Sequence, residues 1–186
     1  MTAAKPAPAV AALLKMRCET SGSGYALFWQ QSAAGGLAVA GGYVSPERKA
    51  ALEAEGKTGT FVDACAGVVL DTGGESPVAR ALASGAPVYL EDVAGSEGFA
   101  RKDKAAEYGI TSICFMPAMG GVVEYGSGKA GWEEGMRNAA TPAAELAAAF
   151  SAGASFAIFW KQEGDEMVAA ADFVLPERAA ALKVSG

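Results

Sequence analysis

Three groups of residues have types and spacing that suggest chemistry. Gly126-Ser127-Gly128-Lys129-Ala130-Gly131 spells GxGxxG behind an apolar stretch, with Glu145 lying 19 residues beyond Gly126. In a dinucleotide site such glycines let the backbone approach a pyrophosphate at a helix N-terminus, and the downstream acid takes the ribose hydroxyl, but only in the first βαβ unit of a parallel sheet. Here the preceding strand follows another across a tight turn, so the pair is antiparallel and the pattern reads as a surface loop. Asp71-Thr72-Gly73 matches the triplet in which two aspartates of paired lobes share one proton. No second triplet exists, and Gly74-Glu75-Ser76-Pro77 leads into a helix cap, so this is a turn built on Asp and Gly. Cys18, Cys65 and Cys114 form no CxxC, and none has a histidine to make it a thiolate, because the chain contains no histidine. Cys114 sits among Ile113, Phe115 and Met116, where a thiol behaves as a small core residue with a raised pKa.

The absence of histidine removes Ser-His-Asp and Cys-His catalysis, the usual zinc sites and histidine-ligated haem. The expectation is a protein that is not an enzyme, with no catalytic, metal-binding or cofactor-binding residues and no cofactor. At 186 residues, 51% hydrophobic and 19% charged, the chain is long enough to bury one good core. Its net charge of −6 and basic residues scattered apart from Arg101-Lys102-Lys104 argue against nucleic acid. The apolar stretches Phe61 to Leu70 and Leu146 to Trp160 are interrupted by Asp63, Gly67 or Ser151 and fall short of the roughly 20 residues that span a bilayer, so no direct membrane span is expected. An odd cysteine count without metal or redox spacing fits a reducing compartment, with cytosol and plastid stroma both open.

The elements that must position these residues are legible from caps and periodicity. Ala9 to Met16 reads as a helix ended by Ser21-Gly22-Ser23-Gly24, and Tyr25–Trp29 and Leu37–Tyr43 read as an antiparallel hairpin. Ser45-Pro46-Glu47 starts a helix running to about Gly56, and Ser76-Pro77 starts another that Gly85 stops. Phe61 to Leu70 admits helix or strand by periodicity, and helix is the reading preferred here. Val88–Leu90 is a strand, Lys102–Tyr108 a helix, and Ser112–Met116 a buried strand paired with Gly121–Tyr125 across Pro117-Ala118-Met119-Gly120. A loop over Gly126–Asn138, a helix from Thr141-Pro142 to Phe150 or Ala152, and a last helix from Pro176 complete the reading.

The chain also repeats itself. Tyr25-Ala26-Leu27-Phe28-Trp29 returns as Phe156-Ala157-Ile158-Phe159-Trp160, and Val44-Ser45-Pro46-Glu47-Arg48 returns as Val174-Leu175-Pro176-Glu177-Arg178. The offset is 131 residues at Phe28/Phe159 and 130 at Pro46/Pro176, a one-residue difference that a turn between two strands tolerates. The second copy has no counterpart to residues between Phe61 and Tyr125, so the expected organisation is one domain over 9–152 and a partial second repeat, hairpin plus helix, over 153–186.

An antiparallel sheet with helices on both faces, an α+β fold, satisfies this order. The run Ser76-Pro77-Val78-Ala79-Arg80-Ala81-Leu82-Ala83-Ser84-Gly85-Ala86-Pro87-Val88-Tyr89-Leu90-Glu91-Asp92 resembles the helix, Gly-x-Pro turn, strand and acidic end of the GAF family. Tyr108-Gly109-Ile110-Thr111-Ser112-Ile113-Cys114-Phe115-Met116-Pro117 is similar to a later strand of the same family. The Phe-Trp and Pro-Glu-Arg phrasing also resembles small GAF-like proteins of plastid-bearing algae. The resemblance implies a pocket between sheet and helices near Phe61, Asp63, Asp92 and Tyr125. Bilin attachment, which uses histidine, and the cyclic-nucleotide signature do not carry over. Trp29 and Trp160 end equivalent strands and read as half-exposed core or interface anchors, with Trp160 and Phe173 the candidate partner interface. The expectation is therefore a non-catalytic GAF-like assembly subunit binding other protein subunits through 153–186, with an accessory subunit of a plastid photosynthetic complex as its concrete form. A small-molecule or redox-sensing GAF domain is the alternative.

Overall fold

A computed structural model describes residues 8–33, 35–129, 132, 156–163 and 166–174. The chain opens with α1 (Pro8–Ser21), then the hairpin β1 (Tyr25–Gln31) and β2 (Leu37–Val44). Next come α2 (Pro46–Ala54), α3 (Phe61–Cys65), the two-residue β3 (Val69–Leu70), α4 (Pro77–Ser84), β4 (Val88–Leu90) and α5 (Lys102–Glu107). The hairpin β5 (Ser112–Ala118) and β6 (Gly121–Ser127) closes a six-stranded sheet in the order β3-β2-β1-β6-β5-β4. Every pair of neighbouring strands in it is antiparallel, including β1 with β6, which joins the first hairpin to the last. The expected α+β architecture, an antiparallel sheet with helices on both faces, is observed.

The helix starts follow the cap chemistry. Ser45, Thr60 and Ser76 each accept a hydrogen bond from the third helical N–H, and Thr60 and Asp63 form a reciprocal capping box. Gly85, at φ 65°, closes α4 in the left-handed conformation that a side chain would resist. The β5–β6 turn narrows to Met119 and Gly120, both at positive φ, the mirror-image geometry that suits the twist of a two-residue hairpin.

Phe61 to Leu70 is the element on which the periodicity reading is corrected in part. The capping box starts a helix, but Ala66 turns extended after Cys65, and Val69–Leu70 pairs with Leu37–Ala38 as an edge strand. The expected helix over Thr141 to Ala152 and the helix from Pro176 lie outside the described residues, as do Met1 to Ala7 and most of the Gly126–Asn138 loop.

Alternation along the strands sorts the core into two layers. Ala26, Phe28, Cys114, Met116, Val123 and Tyr125 point to the side covered by α1, whose Leu13, Leu14 and Cys18 are buried there. Tyr25, Leu27, Trp29, Ile113, Phe115 and Val122 point to the opposite side, with Phe61 and Cys65 of α3, Val78 and Ala81 of α4 and Ala105 of α5. Each fully buried Leu or Phe contributes about 1.5–3 kcal/mol through lost contact with water.

A third hairpin, β7 (Phe156–Glu163) with β8 (Glu166–Val174), forms a separate two-stranded sheet. In β1–β2, Tyr25 pairs Val44 and the register shifts between Phe28 and Trp29. In β7–β8, Phe156 pairs Val174 and the register shifts between Phe159 and Trp160. The two hairpins therefore share pairing and bulge at the residues that the sequence repeats.

Candidate functional site

The layer beneath α3, α4 and α5 contains charge where a core is expected to be apolar. Glu124 lies mid-strand in β6, between Val123 and Tyr125, and alternation turns it toward the helices. It is 0% exposed and faces Arg101, 5% exposed, across a bidentate ion pair in which Nη1 donates to Oε1 at 2.9 Å and Nη2 to Oε2 at 2.6 Å. Tyr25 Oη donates to Oε1 at 3.0 Å and Trp29 Nε1 to Oε2 at 2.7 Å, so each carboxylate oxygen has two donors. The alternation of β1 puts both donors on the same side of the sheet as Glu124.

The guanidinium is enclosed as well as paired. Its central carbon sits 4.7 Å from the Trp29 ring centroid, 4.8 Å from Phe99 and 5.7 Å from Phe61. Nη1 also lies 3.3 Å from Cys65 Sγ. Burial by itself would lower the Arg101 pKa; the Glu124 charge and its hydrogen bonds outweigh that and hold the guanidinium above its ordinary value. Burial pushes Cys65 up to about 11, with Glu124 adding to the shift and Arg101 opposing it, so this thiol is not activated despite its cationic neighbour. On the other layer, burial takes Cys18 and Cys114 up to about 12.

Beside this network, a cleft of about 400 Å³ opens at one end of the sheet. Tyr25 and Phe61, whose rings meet edge-on at 4.9 Å, belong to both its wall and the buried network. Leu52 and Ile110 add apolar wall, and Arg48, Glu55 and Lys129 supply charge. Arg48 is braced by donating to the Tyr108 carbonyl and lies 3.7 Å from Glu55. A second cavity of about 600 Å³ shares Gly24, Arg48, Ser127 and Lys129 with the first.

Two of the GxGxxG glycines, Gly126 and Gly128, have a packing explanation. A Cβ on Gly128 would fall 1.7 Å from the Gly109 carbonyl oxygen, and one on Gly126 would fall 2.7 Å from that of Ser112. These glycines let β6 run closely past the α5–β5 connection, and β6 is antiparallel to both neighbours. At Asp71, Oδ1 accepts from Gly73 N–H at 3.0 Å, an exposed Asx turn.

The four residues expected around one pocket are not brought together. Phe61 lines the cleft. Asp63 is exposed and spends its carboxylate on the Thr60 cap. Asp92 is exposed and accepts from the backbone of Ala94 and Gly95. Tyr125 is buried in the α1 layer against Trp132, across the sheet from Phe61. Trp29 is wholly buried with its indole N–H on Glu124, which replaces the expectation of half exposure. Trp160 and Phe173 occupy β7 and β8, opposite Ala169 and Ala157; their side chains lie outside the described residues. Reading by residue type passes over Glu124 and Arg101. The available signal is a lone carboxylate inside the apolar run Val122-Val123-Glu124-Tyr125 of the strand read as hairpin partner to the buried Ser112–Met116.

Among the described residues, no cluster of three or more Cys, Asp or Glu has metal-holding geometry, and no helix is long and apolar enough to cross a membrane. No known family's sequence profile matches the chain, and no curated protein matches it by sequence. Solved structures do match by fold. The GAF domain region of a Geobacter sulfurreducens PCA protein superposes with a TM-score of 0.52 at 17% identity, covering 78% of this chain and 93% of that one. A GAF domain/HD domain protein from Geobacter sulfurreducens aligns at TM-score 0.46 and 12% identity, over 76% of this chain and 91% of its own. A GAF domain of A. aeolicus in an inactive state aligns at TM-score 0.45 and 16% identity, over 67% and 70%. The fold of this chain is GAF-like.

Proposed function

We propose that this chain is a non-catalytic GAF-like subunit that binds other protein subunits through residues 153–186, read as a partial second copy of its own first domain. The observation that carries this is the β7–β8 hairpin, which has the pairing and bulge of β1–β2 but, among the described residues, pairs in a sheet of only two strands. In the first domain the same hairpin is completed by β6 along the outer edge of β1 and by α1 across one face. A two-stranded hairpin is marginal in water, and an open strand edge recruits another strand. Ile158, 45% exposed, is a large apolar side chain on the β7–β8 hairpin in a position to meet a partner. The resemblance to small GAF-like proteins of plastid-bearing algae supports a photosynthetic complex as the assembly, with the chain as a stromal accessory subunit.

The test is to add the tagged full chain and its Ile158→Lys variant to algal stromal and thylakoid extracts, size the recovered complexes and identify their subunits by mass spectrometry. The expected result is that the unaltered chain moves with photosynthetic subunits and the variant stays free. Equal migration of the two removes the hairpin from the docking role.

The cleft supports the sensing alternative, because about 400 Å³ beside Tyr25 and Phe61 is room for a small molecule whose binding would be felt at the buried ion pair. A ligand-dependent rise in Tm that Leu52→Trp abolishes would favour that reading.

A further inference from the structure

The surroundings of Arg101 have the composition of a ligand site rather than of an ordinary ion pair. A planar cation lies among three aromatic rings, Trp29, Phe61 and Phe99, at 4.7, 5.7 and 4.8 Å, and its two outer nitrogens meet the two oxygens of one carboxylate. The walls come from separate parts of the chain: β1 brings Trp29, α3 brings Phe61 and Cys65, and β6 brings Glu124. Each wall also has support that does not depend on Arg101. Tyr25 and Trp29 hold the Glu124 oxygens from the far side, Phe61 packs on Tyr25 at 4.9 Å, and Phe99 packs on Phe115 at 6.1 Å.

Arg101 itself sits just ahead of α5 as its N-terminal flanking residue and makes no side-chain cap there. Its side chain is used wholly inside the core.

We propose that this chamber is a preorganised guanidinium-binding site and that Arg101 is its intramolecular ligand. The chemistry selects the class. A paired carboxylate of this geometry takes two parallel N–H donors, and three ring faces suit a flat, delocalised, weakly hydrated cation. An ammonium has neither the fork nor the flat face. With Arg101 seated, the interior of this layer is closed, and the residues leading into α5 are tied to β1 and β6 through one side chain. A guanidinium-class ligand from outside, whether a free cation or the arginine of another chain, enters only where residue 101 vacates the site.

The experiment is chemical rescue of the full chain carrying Arg101→Ala. Thermal unfolding is followed by tryptophan fluorescence in millimolar guanidinium or methylguanidinium chloride, well below denaturing levels, against matched sodium and ammonium chloride. The expected result is a saturable rise in Tm on the order of 5 °C with the guanidinium salts alone, and none in the unaltered chain. If Arg101→Ala does not fold in plain buffer, recovery of native fluorescence on adding methylguanidinium supports the site in the same way, and no recovery counts against it. Adding Glu124→Gln to the variant should abolish the rescue. Equal effects of ammonium and guanidinium, a guanidinium effect that only lowers Tm, or rescue that survives Glu124→Gln would each overturn the proposal.

Discussion

Replacing Glu124 with glutamine keeps the shape of the side chain and removes its charge, and the hydrogen-bond geometry dictates how the amide must sit. Each carboxylate oxygen has two donors: Tyr25 Oη and Arg101 Nη1 on Oε1, Trp29 Nε1 and Arg101 Nη2 on Oε2. Of these only the tyrosine hydroxyl can turn round and accept, so the new NH₂ group takes the Oε1 position. There it opposes Nη1 donor to donor, and the guanidinium, 5% exposed, has lost its counter-charge. Breaking a buried pair by removing one partner costs about 3–5 kcal/mol. The lower end applies, because the amide keeps the Trp29 and Nη2 contacts. Against a typical domain stability of about 5–15 kcal/mol the variant should fold with its urea midpoint lowered by on the order of 2 M. Urea unfolding read by fluorescence is the assay, and Trp29 reports from inside the network. Combining Glu124→Leu with Arg101→Met removes both charges and should be less destabilising than the sum of the single changes. A loss for Glu124→Gln under about 1 kcal/mol, the worth of an exposed ion pair, would refute the reasoning by showing that water reaches these groups.

Gly128→Ala should destabilise by several kcal/mol or block folding, since its Cβ would lie 1.7 Å from a backbone carbonyl that cannot swing aside; thermal melts read this, and near-normal stability would refute the packing explanation for this glycine. The three buried thiols should resist a soluble disulfide reagent at pH 8 in the native chain and react once it is unfolded, as counted by absorbance. With folded-state values raised from 9.0 to about 11 for Cys65 and about 12 for Cys18 and Cys114, their stabilisation is complete below pH 9 and declines as pH climbs through those values, so midpoints measured across that range should fall. Ser76→Ala removes the acceptor for Ala79 N–H at the start of α4 and should cost about 1 kcal/mol in denaturant titration, with no change in unfolding cooperativity.

Local chemistry makes most of the scaffold legible from sequence. Ser45-Pro46 and Ser76-Pro77 start helices because a side-chain oxygen and a preset φ act within one turn, and Gly85 stops one because it takes φ 65° without strain. The two hairpins of the first domain follow from alternation, and the Phe-Trp repeat marks the place where the register shifts in both β1–β2 and β7–β8. The GAF resemblance rests on the same turn and core residues, and these define a fold rather than a site. The break after Cys65 is not legible, because five helical residues and a two-residue edge strand are too short for periodicity to separate.

The candidate site belongs to the other class. By type and order, Arg101 reads as one of three clustered cations and Trp29 as a half-exposed strand end. Which way each side chain turns depends on the face of β1 and β6 that α3 and α5 cover. Tyr25, Trp29, Arg101 and Glu124 meet because β1 and β6 are neighbours although 95 residues separate Trp29 from Glu124. Charge burial of this kind is set by pairing across the sheet, a long-range relation that residue types in order do not encode. The chain's own order therefore determined where helices and strands begin, and only tertiary contact decided that a carboxylate, a guanidinium and three rings would close one chamber.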